Sequence, residues 1–465
     1  MLRIGVDLLV EHEFQSKYSS FIRDTKRNGL VDHSQIFQVV STLCMFKAVG
    51  EPDEWSELVF LHSNEKLKKY REISKYIQDY DQNRLGIRWS SVQDLSQLST
   101  VSAVNLIEWC VDFLDYFFRT GKLEMAEAYQ IMLDEYFSQQ RNGSITVSRM
   151  LVKSMIEMAA PMANEGVCDL NMNDGSILIQ AAAHSKRLPT LFLNPDQARG
   201  HYMGMQRNAE LARYAAYNLR FNSVYDFTIT MEDVSEADSH KFGTFDLIVA
   251  QIPISGQSTN INRRAFNYDY EFRTTRLDLL YLQWCHELLK PSGRAMLIVP
   301  DSIFWRKTNV FQSWREWLVN ENRIRAIISL PVGIIPKVRI NFSILYFEKG
   351  GLTSDVWCFD ARSGHSPQNR QKPDILEQVQ EGYRSWTHGL FHADNEEMNR
   401  MQIVNRDEIE SHQYQLYWMF QKSEKDNRQE ENPIEVLQEI KEIEEKIHIK
   451  LRMIEEWLRN ELPSV

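Results

Sequence analysis

Phe245-Asp246-Leu247-Ile248-Val249-Ala250-Gln251-Ile252-Pro253-Ile254 is the stretch that decides the fold. An apolar run led by aspartate and ended by a proline-containing tetrapeptide predicts a buried strand that stops at a loop. Around it, short apolar segments alternate with helical ones: 166–169, 201–204, 227–230, 295–299, 325–330 and 342–347 read as strands. Helical stretches over 208–220 and 277–289 lie between them, the second closed by the breakers Lys290-Pro291-Ser292-Gly293. Strands separated by helices predict an α/β domain over residues 141–360, with a mixed, mainly parallel, doubly wound sheet. In such a sheet ligands bind beyond the carboxyl ends of the strands. The tetrapeptide Gln251-Ile252-Pro253-Ile254 therefore stands where a ligand is expected.

The flanks read differently. Residues 1–140 place apolar side chains at three- and four-residue spacing, as at Phe14, Tyr18, Phe21 and Ile22 and again at Ile36, Val39, Val40 and Leu43. That pattern predicts a helical N-terminal domain, and Pro52 is the only proline before Pro161. Arg141-Asn142-Gly143-Ser144 is a turn signal at the boundary. Residues 361–425 read as a polar, irregular extension with a loop at Ser363-Gly364-His365-Ser366-Pro367. Over 426–465 a coiled-coil-like C-terminal helix is predicted, with Asn432 as N-cap, Pro433 at the first helical position and Glu435 placed for a capping box. Its stripe runs through Leu437, Ile440, Ile443, Ile447, Leu451, Ile454 and Leu458. The stripe packs either on its own domain or on a partner; its terminal place and charged flanks favour a partner.

Composition narrows the function classes. With 465 residues, 43% hydrophobic and 25% charged, the chain has the make-up of a soluble globular protein of two or three domains. No run of about eighteen apolar residues exists, so no membrane span is expected. The start lacks the apolar core and small-residue cleavage site of a signal peptide. Five scattered cysteines, Cys44, Cys110, Cys168, Cys285 and Cys358, form no CxxC pair; they argue for a reducing cytoplasm and against disulfides or zinc. The twelve histidines show no metal-ligand spacing, and neither a GxSxG elbow nor a Walker A loop occurs, so no metal site is expected. A net charge of −11 argues against gripping DNA over the whole surface, since phosphate contacts need clustered Lys and Arg. A local basic patch or a DNA-facing partner stays compatible with it.

Other landmarks recur in a fixed order. Met155-Ile156-Glu157-Met158-Ala159-Ala160-Pro161 precedes the first strand, and Leu211-Ala212-Arg213-Tyr214-Ala215-Ala216-Tyr217-Asn218-Leu219 follows the second. Leu288-Leu289-Lys290-Pro291-Ser292-Gly293-Arg294, Ile298-Val299-Pro300-Asp301, Ile328-Ser329-Leu330-Pro331-Val332-Gly333, Phe359-Asp360-Ala361-Arg362 and Arg406-Asp407-Glu408-Ile409 come after. Each is weak alone. Together, over residues 140–420, they resemble the modification (methyltransferase) subunit of type I restriction–modification systems, within the adenine-N6 DNA methyltransferases. The resemblance implies a Rossmann-like methyltransferase domain, preceded by a helical domain and followed by a helical tail that docks on a specificity subunit. It also implies S-adenosylmethionine as methyl donor.

Against that family the cofactor motifs are degenerate. Where the family ends its first strand in Asp-Pro-Ala-Cys-Gly-Ser-Gly, this chain has Asp169-Leu170-Asn171-Met172-Asn173-Asp174-Gly175. Asp169 and Gly175 survive; Asn173 replaces the first glycine and Asp174 adds a charge. The acid that would bind the ribose hydroxyls falls, counting twelve residues back from Asn218, on Gln206. A neutral amide accepts only through its carbonyl oxygen. If 190–193 were the second strand instead, Asp196 would take that place. Upstream, Ser144-Ile145-Thr146-Val147 lacks the family's aromatic and proline, whereas the adenine-contacting aspartate survives as Asp233.

The catalytic tetrapeptide is Asn-Pro-Pro-Phe or Asn-Pro-Pro-Tyr in the family. There the asparagine accepts from the exocyclic amine of a flipped adenine, on which the aromatic stacks, a contact worth about 1–3 kcal/mol. Gln251 is one methylene longer, so its amide oxygen misses by roughly an ångström, a displacement that costs about a hundredfold. Ile252 replaces a rigid proline, Ile254 removes the π face, and Pro253 alone remains.

Past the tetrapeptide, Arg263, Arg264 and Arg273 interleave with Phe266, Tyr268, Tyr270 and Phe272, with Arg276 just beyond; Lys337, Arg339 and Asn341 are placed for the same edge. Interleaved arginines and aromatics hold phosphates and stack on bases; a solvated loop packed on the sheet is the plainer reading. Three functions follow. The first is a catalytically silent methyltransferase-like subunit that positions DNA in a bacterial restriction–modification or related anti-phage complex, beside a specificity subunit or an active methyltransferase subunit, with no cofactor expected. The second is a divergent, active adenine-N6 DNA methyltransferase using S-adenosylmethionine. The third is a protein–protein scaffold without a nucleic-acid role.

Overall fold

A computed structural model of the chain describes residues 2–27, 32–87, 95, 98–121, 123–139, 147–187, 200–231, 243–254, 274, 276–331, 333–335, 340–362, 375–390 and 400–420. Two compact units are present, Met1–Leu416 and Tyr417–Val465. Of the second, the described residues form a 3-10 turn at Tyr417–Phe420, and the predicted stripe from Leu437 to Leu458 lies outside the described residues.

The first unit opens with helices α1 (Leu2–Arg27), α2 (His33–Val49), α3 (Pro52–Phe60), α4 (Ser63–Tyr80, continued by a π turn at Asp81–Leu85), α5 (Thr100–Thr120) and α6 (Met125–Gln139). The spacing read from sequence is the buried stripe: Phe14, Tyr18, Ile36, Val39, Val40 and Leu43 are each no more than 1% exposed. Then come α7 (Arg149–Ala159), β1 (Val167–Asp169), α8 (Ser176–Arg187), β2 (Tyr202–Met205), α9 (Ala209–Phe221), β3 (Phe227–Thr230) and β4 (Phe245–Gln251). They are followed by α10 (Leu277–Leu288), β5 (Leu289–Pro300), α11 (Ser302–Trp305), α12 (Asn309–Glu321), β6 (Asn322–Ser329), β7 (Phe342–Lys349) and β8 (Asp355–Asp360). Last come α13 (Ile375–Thr387), β9 (Met401–Asn405) and α14 (Arg406–Ser411).

The strands make one sheet in the order β3-β2-β1-β4-β5-β7-β6-β8-β9. From β3 to β5 all neighbours are parallel. β7 runs antiparallel to both β5 and β6, β8 is parallel to β6, and β9 is antiparallel to β8. The order reverses between β1 and β4, which places the ligand crevice of a doubly wound sheet at the carboxyl ends of those two strands. Leu247, Ile248, Val249 and Ala250 are fully buried, as a central parallel strand covered on both faces requires.

The sheet runs past residue 360, and residues 361–425 are not irregular throughout. Ile375, Leu376, Val379 and Tyr383 give α13 one buried face, and β9 closes the sheet. β9 is an edge strand in which Val404 alone is buried, so it has little apolar pattern to reveal it. Helical region and sheet share a core: the Phe37 ring of α2 meets Tyr136 of α6 and Tyr214 of α9, each at 4.7 Å. No described helix is long and apolar enough to cross a membrane, and all five cysteines are buried as free thiols.

Candidate functional site at the β1–β4 crevice

β1 and β4 run side by side, with Val167 opposite Leu247 and Cys168 opposite Ile248. Asp169 and Gln251 therefore leave the sheet on the same edge. Asp169 is 2% exposed and its Oδ1 accepts the Asn171 amide at 3.1 Å. Burial pushes its carboxyl up to about 7; the Asn171 amide opposes the rise and the neighbouring Asp174 adds to it. Asn171 then reaches across the crevice, where its Nδ2 donates to the Gln251 carbonyl oxygen at 3.0 Å.

The charge of Asp174 is absorbed in a buried network. Its Oδ1 accepts the Ser176 amide at 3.0 Å, at the start of α8, and its Oδ2 accepts Gln130 Nε2 of α6 at 3.3 Å. Asn218 Nδ2 of α9 donates to both Gln130 Oε1, at 2.9 Å, and the Asp174 carbonyl, at 2.8 Å. One turn is thus tied to a helix of the N-terminal region and to α9. Gly175 has φ +80°, and a Cβ there would lie 3.4 Å from the Ala215 carbonyl oxygen, so glycine is required. Asn173, by contrast, does not adopt positive φ.

β2 ends beside this turn. The Gln206 Nε2 donates to the Met172 carbonyl, and Gln206 Oε1 accepts the Asn208 amide at 3.0 Å. The Met172 amide donates to the Met205 carbonyl at 3.0 Å. The buried Met172 side chain lies against Gly204 and leaves no room for a Cβ there. Both polar ends of Gln206 are occupied within the chain, and a methionine fills the space above the β2 backbone.

At the end of β4, Gln251 is 3% exposed, and its buried Oε1 has no partner among the described residues. The Ile252 amide donates to the Ile298 carbonyl at 2.8 Å. A proline at that position could not make this bond, so the isoleucine extends the β4–β5 ladder. Pro253 is half-buried, and Ile254 packs against the core. On the neighbouring strand end, Asp301 Oδ1 accepts Ser343 Oγ at 2.7 Å, and burial pushes the Asp301 carboxyl up to about 6.

The fold thus gathers Asp169, Asn173, Gly175, Gln206, Gln251, Pro253 and Ile254 on one edge. Ile145, Asp196, Asp233, Arg263, Arg264, Arg273, Lys337 and Arg339 lie outside the described residues. Arg276 is described, and its guanidinium is held by Asp278 at 2.6 and 3.1 Å. Asn341 does stand at this edge, its carbonyl accepting the Asp301 amide at 3.0 Å. Sequence reasoning missed Asn171, Met172 and Gln130. Asn171, a short amide two residues after the strand-end aspartate, carries a turn signal that could have found it; the other two carry none. Among the described residues no group of three or more His, Cys, Asp or Glu is placed to hold a metal ion.

Comparison with known proteins gives this edge its context. The sequence model of the N-6 DNA methylase family matches residues 122–430. The chain is similar to the methylase subunit of the type I restriction enzyme StySPI of Salmonella potsdam, 22% identical over 79% of this chain and 75% of that one. It is likewise similar to the EcoKI methylase subunit of Escherichia coli K12, 21% identical over the same shares. In three dimensions it resembles a chain from a structure of type I R-M complex assembly and conformational transition, with TM-score 0.64 and 16% identity over 93% of both chains. The type I methyltransferase subunit from Streptococcus thermophilus superposes with TM-score 0.56 and 18% identity over 68% of each. At these identities the structural likeness is one of fold. The chain belongs to the N-6 DNA methylase family, as a methyltransferase-like subunit of the type I restriction–modification kind.

Proposed function

We propose that this chain is a catalytically silent member of that family, a structural and DNA-positioning subunit of a bacterial restriction–modification or related anti-phage complex in the cytoplasm. One observation carries the reading: Gln206, at the position of the family's ribose-binding acid, donates to the Met172 carbonyl and accepts from the Asn208 amide. Met172 covers Gly204 beside it. S-adenosylmethionine would have to break this bond, displace a buried thioether and then find no charge to hold its ribose. Asp169, Asn173, Gly175, Gln206 and Asp233 are then the remains of a cofactor seat. Gln251, Pro253 and Ile254 are the remains of a catalytic loop. DNA is met through the complex and through Arg263, Arg264, Arg273, Lys337 and Arg339. The helix over 426–465 docks on a specificity subunit, an active methyltransferase subunit or both.

Isothermal titration of the purified chain with S-adenosylmethionine tests the reading. No heat of binding up to millimolar ligand is expected; a dissociation constant in the low micromolar range would sink it. One observation favours a divergent active enzyme instead. Gln251 Oε1 is a buried acceptor without a partner among the described residues, and an adenine amine would satisfy it. Methyl transfer to DNA by the unaltered protein, abolished by Gln251→Ala, would establish that second reading.

A further inference from the structure

We propose that Trp305, Arg306 and Lys307 form a nucleic-acid contact on the carboxyl edge of the sheet, the indole stacking on an unpaired base while the two cations take the adjacent phosphates. The proposal deepens the DNA-positioning reading and rests on it.

The segment is built to present these side chains. It follows β5, whose Ile298 lies opposite Gln251 of the parallel strand β4, so α11 and the tetrapeptide emerge on the same edge. Ile303 and Phe304 are fully buried, and both of their carbonyls are tied down. Arg315 Nη1, from a side chain 1% exposed, donates to the Ile303 carbonyl at 2.9 Å. The Leu416 amide donates to the Phe304 carbonyl at 3.0 Å. Trp305 comes next and is 47% exposed. A single exposed apolar side chain is ordinary. What distinguishes this one is its company.

Two bare cations adjoin it in a chain whose net charge is −11. Arg276 and Arg306 approach the same Phe311 ring, at 5.0 and 5.5 Å. Arg276 is neutralised by the bidentate Asp278, whereas neither Arg306 nor Lys307 has an acidic partner among the described residues. Phe311 thus holds the Arg306 guanidinium in place without cancelling its charge. A fixed guanidinium, a free ammonium and an open indole face are the parts that bind single-stranded nucleic acid: charge for the backbone and a π surface for the base. Ile254 packs against the core instead of offering a π face, whereas Trp305, just past the exit of the neighbouring strand β5, is exposed.

The test uses the full chain and two labelled DNA duplexes, one fully paired and one with a single unpaired adenine, followed by fluorescence anisotropy across a salt series. Arg306→Gln combined with Lys307→Gln should lower the slope of log affinity against log salt by about two, as two lost phosphate contacts require. Trp305→Ala should weaken binding of the duplex with the unpaired adenine about fivefold or more, and Trp305→Phe should restore most of it. Photocrosslinking from 5-iodouracil beside the unpaired base should map to Trp305. An unchanged salt slope, a crosslink elsewhere, or no binding of either duplex by the wild type at low salt would overturn the proposal. Loss of polyglutamate binding with DNA binding intact would assign the patch to an acidic protein segment and overturn it too. Titration of the same preparation with S-adenosylmethionine keeps the two readings apart: cofactor binding would defeat silence and leave this contact standing, while failed DNA binding would defeat the contact and leave silence standing.

Discussion

The side-chain amide of Asn171 donates to the main-chain carbonyl of Gln251 at 3.0 Å, across 80 positions of sequence. The turn that would seat a cofactor and the strand that would deliver catalysis are therefore one hydrogen-bonded unit. Asn171→Ala should cost about 1–2 kcal/mol, the usual consequence of leaving a buried carbonyl short of a partner. Urea denaturation measures it, and an unchanged midpoint would show that the bond does not couple the two elements.

Asp169 makes stability depend on pH. Burial holds its carboxyl up to about 7 in the folded chain, against about 4 unfolded. Between those values the folded state binds more protons than the unfolded one, so this group's contribution turns unfavourable as pH rises from about 4 to 7. Asp169→Asn should then be close to neutral at pH 4 and stabilising at pH 8, by an amount on the order of a few kcal/mol. Thermal melts of both proteins at the two pH values give the answer; equal shifts at both would refute the buried-carboxyl argument.

The C-terminal stripe makes a separate demand. Ile443→Asp together with Ile447→Asp should release the partner subunit while the melting of the remainder is unchanged, because a charge at a packed seam is not tolerated. Size-exclusion chromatography of the co-expressed complex would show it. Complex formation that survives deletion of 430–465 would assign the stripe to its own chain.

The sheet was legible in the sequence where burial leaves a pattern and illegible where it does not. β4 announces itself because both its faces are covered, giving the unbroken run Leu247-Ile248-Val249-Ala250. β9 sits at the edge, with Ile403 42% exposed, and its five residues lack any apolar run. The site divides the same way. Gln206 was placed by its spacing from Asn218, and Gln251 by the tetrapeptide that ends its strand. What surrounds them was not legible. Asp174 read as a charge out of place because its partners, Gln130 and Asn218, are 44 positions away on either side and meet it through packing alone. Met172 stands where the family has a cysteine, and its contact with Gly204 of the neighbouring strand depends on a β1–β2 register that no local pattern reports.

That register decides what restoration of the motifs should do. If the tetrapeptide alone were at fault, Asn-Pro-Pro-Phe at 251–254 would revive methylation. No revival is expected, because Gln206 and Met172 would still close the place of the ribose, and an absent donor cannot react. The tetrapeptide change should also cost stability, since proline at 252 removes the amide that bonds Ile298. Adding Asn173→Gly, Gln206→Glu and Ile145→Phe should recover S-adenosylmethionine binding. The mechanism is specific: glutamate cannot donate to the Met172 carbonyl as Gln206 does, so the bond that closes the crevice is lost and a charged ribose acceptor takes its place. Gln206→Glu alone is therefore the most informative single change, expected to yield weak but measurable binding where the wild type yields none. Calorimetry reads the cofactor, and tritiated-methyl transfer to DNA with the specificity partner present reads the chemistry. Binding still absent after every restoration, and after Met172→Ala is added to clear the thioether from Gly204, would mean that Gln206 is not the ribose position, and that the second strand's exit must be reassigned.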